Sequence, residues 1–145
     1  RFRIPVCTLR GFMDIISEEQ ARAYSPLTLA FFGDSVYEVL VRQKIVLGGS
    51  CPSSKLHKAA VEKVRASYQS AAIDLIEPML TEAEADIIRR GRNSHVATVP
   101  RSSNPREYRR ATALEALFGY LYLIGANERM EELFEVIYNG KGEEE

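Results

Sequence analysis

Leu27 to Arg42 reads LTLAFFGDSVYEVLVR, a helical stretch in which the carboxylate of Asp34 stands among apolar side chains on almost every side. Leu27, Leu29, Ala30, Phe31, Phe32, Val36, Tyr37, Val39, Leu40 and Val41 leave no broad polar face, the pattern of a helix running through the middle of a core. Asp34 is therefore expected to be at least partly buried, and a buried carboxylate needs a cation, a metal or hydrogen-bond donors. Gly33 costs such a helix about 1 kcal/mol relative to Ala, and the usual compensation is close approach of another backbone or of a ligand.

Ala111 to Gly125, ATALEALFGYLYLIG, repeats the pattern with a single acid, Glu115, among Ala113, Leu114, Leu117, Phe118, Leu121 and Leu123. Gly119 lies four residues after Glu115, on the same helix face, where it allows that face to approach a neighbour. Two buried helices, each with one carboxylate and one nearby glycine, predict a shared site. The plainer alternative is a pair of structural carboxylates, each satisfied by an arginine.

Working outward, Ser25-Pro26 supplies an N-cap with proline at the first helical position, and Gly48-Gly49 ends the central helix after Leu47. Before it, Phe12 to Tyr24 reads as a short helix and Arg1 to Gly11 as a tail, neither with assigned chemistry. After it, Ser53 or Ser54 is predicted to cap one helix, SSKLHKAAVEKVRASYQSAAIDLI, with Leu56, Ala60, Val64 and Ser67 inward. Its first turns carry Lys55, His57, Lys58, Lys63 and Arg65, each of which taken alone reads as part of a solvated face. His57 has no second His or Cys nearby to make a metal site. Glu77-Pro78 interrupts the helical run, and a capping box from Thr81 to Glu84 restarts it through Arg90. Gly91 reads as a left-handed C-cap, Asn104-Pro105 as the next helix start, and residues 92–103 as a loop long enough to expect function in it. Asn127 is predicted to cap a last helix with Met130, Leu133, Phe134 and Ile137 inward, before the polar tail NGKGEEE.

A chain of 145 residues with 46% hydrophobic content is long enough and apolar enough for one ordinary domain with a proper core. No apolar run reaches the length that spans a bilayer, so a soluble, cytoplasmic protein is expected, with no membrane partner. Cys7 and Cys51 lack the spacing of a zinc site or a disulfide framework. The net charge is −1, but the segment from Arg89 to Arg110 holds seven arginines against Glu107, which makes it +6 and everything else −7. Such clustering suits a polyanionic partner in spite of the total.

FFGDSVYEVLVR followed by TALEALFGYLYL resembles the two motifs of the ribonuclease III catalytic domain, in the family's order. Between them lie a Lys-rich helix and a Gly-containing basic turn. The likeness runs from about Pro26 to Tyr138 and is closer to the short Mini-III branch, which lacks a double-stranded RNA-binding domain. It implies an all-α, ribonuclease III endonuclease-domain-like fold. It divides the chain into a tail and short helix over 1–25, a catalytic domain over 26–138 and a polar tail over 139–145. It also implies a homodimer in which the central helices pair across a two-fold, with Phe31 packing into the partner.

The chemistry implied by the resemblance is Mg²⁺-dependent hydrolysis of double-stranded RNA. Attack is in line, leaving 5′-phosphate and 3′-hydroxyl ends and staggered cuts, with a large-subunit ribosomal RNA precursor as the expected substrate. Asp34 matches the acid of the first motif and Glu115 the glutamate of the second, as catalytic residues and metal ligands; hard oxygen ligands of this kind suit Mg²⁺. Two acids of the larger family members are replaced here by Ala30 and Thr112. Glu38 is expected to form a structural ion pair. Duplex RNA hides its base edges, so phosphate and 2′-hydroxyl contacts must carry binding. The candidates are Arg89, Arg90, Arg92, Asn93, Arg101, Arg109 and Arg110, with Lys55 and Lys58 behind them. The alternative role of Arg109 and Arg110 is to neutralise Glu115. A catalytically inactive RNA-binding or assembly module is the competing reading, but a module without metal would gain by replacing buried acids with apolar residues. A purely protein-binding helical bundle leaves the +6 segment unexplained.

Overall fold

The computed structural model describes residues 14–94 and 99–140, so the expectations for 1–11, for part of the basic loop and for the end of the tail lie outside the described residues. The short helix expected from Phe12 starts only at Glu18, because Ser17 caps it there and 14–17 are not helical. The described residues form seven α-helices and no strand. They are α1 (Glu18–Ala23), α2 (Pro26–Leu47), α3 (Ser53–Val64), α4 (Ala66–Ile76), α5 (Glu82–Arg92), α6 (Pro105–Leu123) and α7 (Asn127–Asn139), with a 3₁₀ turn at Glu77–Met79 before α5.

Helix starts follow the local chemistry. Ser25 accepts a hydrogen bond from the Thr28 amide at the head of α2, and Pro26 takes the first position, where its missing N–H costs nothing. Asn104 accepts from the Arg106 and Glu107 amides at the head of α6. Thr81 and Glu84 complete a capping box on α5, as Ser17 and Gln20 do on α1. Two expected caps are absent. Ser53 is the first residue of α3, with Pro52 in the cap position, and α7 begins with Asn127 itself, with Ala126 before it and no side-chain cap.

The centre of the bundle is α6, which packs against α1, α2, α4, α5 and α7. From Arg110 to Leu121 all its residues are buried except Thr112 and Glu115. Its crossing with α2 is set by two glycines. A Cβ on Gly33 would stand 1.7 Å from the Glu115 carbonyl oxygen, and one on Gly119 would stand 2.2 Å from the Leu29 carbonyl oxygen. The backbones therefore touch, which is what a glycine in each helix was expected to permit. Tyr37, Phe118 and Phe134 close the core from α2, α6 and α7 with edge-to-face ring contacts at 5.3 and 5.8 Å from Tyr37. Arg129 of α7 binds Glu84 of α5 at 2.8 Å and the Met79 carbonyl at 2.6 Å.

Four further expectations are corrected. Gly91 is inside α5 with no positive φ, and it is needed for packing, because a Cβ there would meet the Ala113 Cα at 2.7 Å. The helix expected to run unbroken from 53 to 76 is two helices, broken where Arg65 turns extended at φ −66° and ψ 143°. Ser67, placed inward by that continuous helix, is exposed because the break resets the helical phase. Most consequential, α2 does not run through the middle of the core. Leu27, Phe31, Val39, Val46 and Leu47 are exposed, Phe31 by 84%, so the missing polar face is an outward apolar stripe.

Candidate active site

The touching backbones at Gly33 and Glu115 bring the two carboxylates to one cleft of about 500 Å³. Asp34 and Glu115 line it from α2 and α6, Ala66 and Gln69 from the start of α4, and Ser103 and Tyr108 from around the head of α6. Contrary to expectation Asp34 is exposed, and Glu115 is the half-buried member. Burial, and next the Asp34 charge, pushes the Glu115 carboxyl up from about 4.5 to about 8. Asp34 is raised too, first by desolvation on its cleft side and then by the Glu38 charge. Glu38 itself pairs with Arg42 at 2.7 Å, as expected of it.

No arginine among the described residues satisfies either acid. Among the described residues neither Asp34 nor Glu115 has an ion pair or a side-chain hydrogen bond. Arg110, which with Arg109 was the alternative counter-ion for Glu115, is buried with its guanidinium 2.6 Å from Asp74 and 2.9 Å from the Ser70 carbonyl. Two convergent carboxylates without a counter-cation fit a hard divalent ion that keeps part of its water shell. Ala30 and Thr112 line the same cleft, and the Thr112 hydroxyl donates to the Tyr108 carbonyl at 2.9 Å. No third acid, His or Cys joins the pair among the described residues.

The electrostatics give a measurable consequence. The folded protein holds the Glu115 proton more tightly than the unfolded chain does. The contribution of this group to cation-free stability is therefore fully present below pH about 4.5 and is lost as pH rises to about 8. The expected fall from this one group is on the order of 5 kcal/mol. Glu115→Gln should abolish this fall in melting experiments run with a chelator, and identical pH profiles for the two proteins would contradict the arrangement.

The basic residues divide. Arg92, Asn93, Arg109 and Arg110 line a second cavity of about 420 Å³ with Ser94 and Arg106, on the other side of the first turns of α6. Arg106 was missed, although it stands in the same +6 segment. Arg89 pairs with Asp86, and Arg90 donates to the Arg22 and Tyr24 carbonyls, tying α5 to the end of α1. Arg101 is exposed in the turn before α6; Lys55 and Lys58 are exposed on α3, outside both cavities.

With this geometry in place, the comparison with known families is decisive: residues 27–125 match the Ribonuclease III domain. The chain belongs to the ribonuclease III family. The Mini-ribonuclease 3 of Thermoanaerobacter sp. is 41% identical, over 89% of this chain and 93% of that relative. The Mini-ribonuclease 3 of Gloeobacter violaceus is 46% identical, over 72% of this chain and 76% of that relative. A crystallised protein from Fusobacterium nucleatum superposes with a TM-score of 0.75 at 37% identity, covering 83% of this chain and 92% of that one. The ribonuclease III resemblance and the all-α fold are thus both borne out, and membership of this family makes the chain an endoribonuclease.

Proposed function

We propose that this endoribonuclease hydrolyses double-stranded RNA in a Mg²⁺-dependent reaction, as a symmetric homodimer, with residues 26–138 as the catalytic domain. The observation that carries the reading is the pair of uncompensated carboxylates, Asp34 and Glu115, held in one cleft by a glycine-mediated crossing. These two side chains would hold the cation. When bound, it would supply positive charge to the phosphoryl and leaving oxygens and make water a better nucleophile. The chain's own contribution is to fix the carboxylates on two rigid helices and to keep arginines away from them. Water attacks phosphorus in line and the bond to the 3′-oxygen breaks, leaving a 5′-phosphate and a 3′-hydroxyl.

Duplex binding is assigned to the cavity of Arg92, Asn93, Arg106 and Arg109 beside the head of α6, with Arg101 in the adjoining turn. Arg89 and Arg90 extend the positive face while bracing α5, and Arg110 contributes from a buried position; Lys55 and Lys58 are outlying contacts. A large-subunit ribosomal RNA precursor is the substrate we favour, on family resemblance, with the cytoplasm as its setting. Duplex RNA incubated with and without Mg²⁺ and run on a denaturing gel tests the reading. Discrete 5′-phosphorylated products only with Mg²⁺ are expected, and intact RNA bound but never cut would favour the non-catalytic module.

The dimer rests on the outward stripe of α2. Leu27, Phe31, Val39 and Val46 expose apolar surface on one helix, and Phe31 also stands at the acid cleft. An isologous contact along this helix buries the stripe and supplies two sites for two strands. Phe31→Asp should give monomer in analytical ultracentrifugation with little change in melting of the protomer. A wild-type chain that is monomeric at micromolar concentration would contradict the dimer.

A further inference from the structure

The cleft holds a second polar feature that neither the carboxylates nor the arginines use. Gln69 is 2% exposed, lines the cleft, and makes no side-chain hydrogen bond among the described residues. Among the described residues the Tyr37 hydroxyl is the one fully occluded side-chain polar atom without a partner, so the small residual exposure of Gln69 belongs to its carboxamide. The open space beside it is the cleft. One turn earlier, Ala66 opens the eleven-residue α4 on the same face and lines the same cleft. The break at Arg65 leaves this helix with no side-chain cap. The Gln69 amide donates to the Arg65 carbonyl, while among the described residues the Ala66 and Ser67 amides have no acceptor.

We propose that the Gln69 carboxamide and the start of α4 form an oxyanion subsite that positions a backbone phosphate of the bound strand next to Asp34 and Glu115. The chemistry selects the ligand. Backbone N–H groups and an amide NH₂ all donate, and the positive end of a helix favours an anion. A lysine or arginine at this place would neutralise the carboxylates and compete with the cation they attract. A neutral amide donates to phosphate oxygens without doing so. Gln69 is thus a substrate-positioning residue, and the inference rests on the endonuclease reading given above.

The test uses the full chain and a short RNA duplex with a single cleavage site, under single-turnover conditions with Mg²⁺. Gln69→Leu removes both amide functions at similar size, and Gln69→Glu keeps the shape while turning the donor into a charge that repels phosphate. Cleavage should fall roughly 10-fold for the first and roughly 100-fold for the second, with duplex affinity and melting temperature close to wild type. A packing role predicts a different pattern, in which rate follows melting temperature and Gln69→Glu cleaves at least as well as Gln69→Leu; that result would overturn the proposal. A duplex with one 2′-deoxyribose beside the scissile phosphate separates the two oxygen ligands. Its penalty should be equal in wild type and Gln69→Leu, whereas loss of the penalty in the variant would mean that the amide reads the ribose hydroxyl and not phosphate. Asp34→Asn serves as control. If it is inactive while both Gln69 variants cleave normally, the subsite alone is wrong; if it too cleaves normally, the underlying assignment of the site fails.

Discussion

Asp34→Asn and Glu115→Gln should each lower single-turnover cleavage of duplex RNA by roughly 10³-fold or more, with duplex binding largely retained. Each substitution keeps the shape of its side chain and removes an anionic oxygen from the one cleft the two acids share. The double variant should be scarcely worse than either single one, because either change disables the same cation site and little activity is left to lose. Stability separates this account from a structural one. Had the acids been halves of buried salt bridges, removing either would leave an uncompensated charge and cost about 3–5 kcal/mol. Here they repel each other without a counter-cation, and Glu115 is already raised to about 8. Neutralising either one should therefore leave the cation-free protein as stable as wild type or more so at alkaline pH. Reduced cleavage that merely tracks a falling melting temperature would contradict the assignment.

Gly33→Ala should be the most damaging single methyl in the chain. Alanine is ordinarily the better helix former by about 1 kcal/mol. At this crossing its Cβ would fall 1.7 Å from the Glu115 carbonyl oxygen and 2.8 Å from the Gly119 amide nitrogen, both backbone atoms of α6 that no rotamer change can move aside. The helices must separate, opening the core beneath them and moving Asp34 away from Glu115. A loss of about 3 kcal/mol or more is expected in urea or thermal unfolding. Gly119→Ala meets the Leu29 carbonyl at 2.2 Å and should behave alike. Melting of either variant within a degree or two of wild type would mean that α2 and α6 do not cross in contact.

What was legible in the sequence was local. Ser25-Pro26, Thr81 with Glu84 and Asn104-Pro105 declare helix starts because the capping groups lie within three residues of the amides they satisfy. Asp34 and Glu115 were found because each is an acid set in a largely apolar run, and Gly33 and Gly119 because glycine inside such a run implies contact. The misreadings concern what a side chain faces across the fold. The all-apolar α2 is compatible with a central helix and equally with a surface helix that carries an uncovered stripe, and only the packing of α6 decides between them. Arg65 carries no breaker signal of its own. Arg110 looks like its neighbours in a basic run, yet the Ser70 carbonyl and Asp74 on α4 draw it inside. Gly91 sits where a C-cap would be natural, but the approach of Ala113 makes it a packing residue. Gln69 drew no notice, since nothing adjacent in sequence marks a glutamine as buried.

The central claim is that Asp34 and Glu115 together hold a divalent cation, and the most direct measurement is thermal melting of the RNA-free protein at pH near 8 across a series of Mg²⁺ concentrations. A cation bound by the folded state and not by the unfolded one stabilises by mass action. The melting temperature of wild type should therefore rise with Mg²⁺, and that of the Asp34→Asn, Glu115→Gln double variant should stay flat. Equal rises in the two proteins would place the bound ion elsewhere and contradict the account.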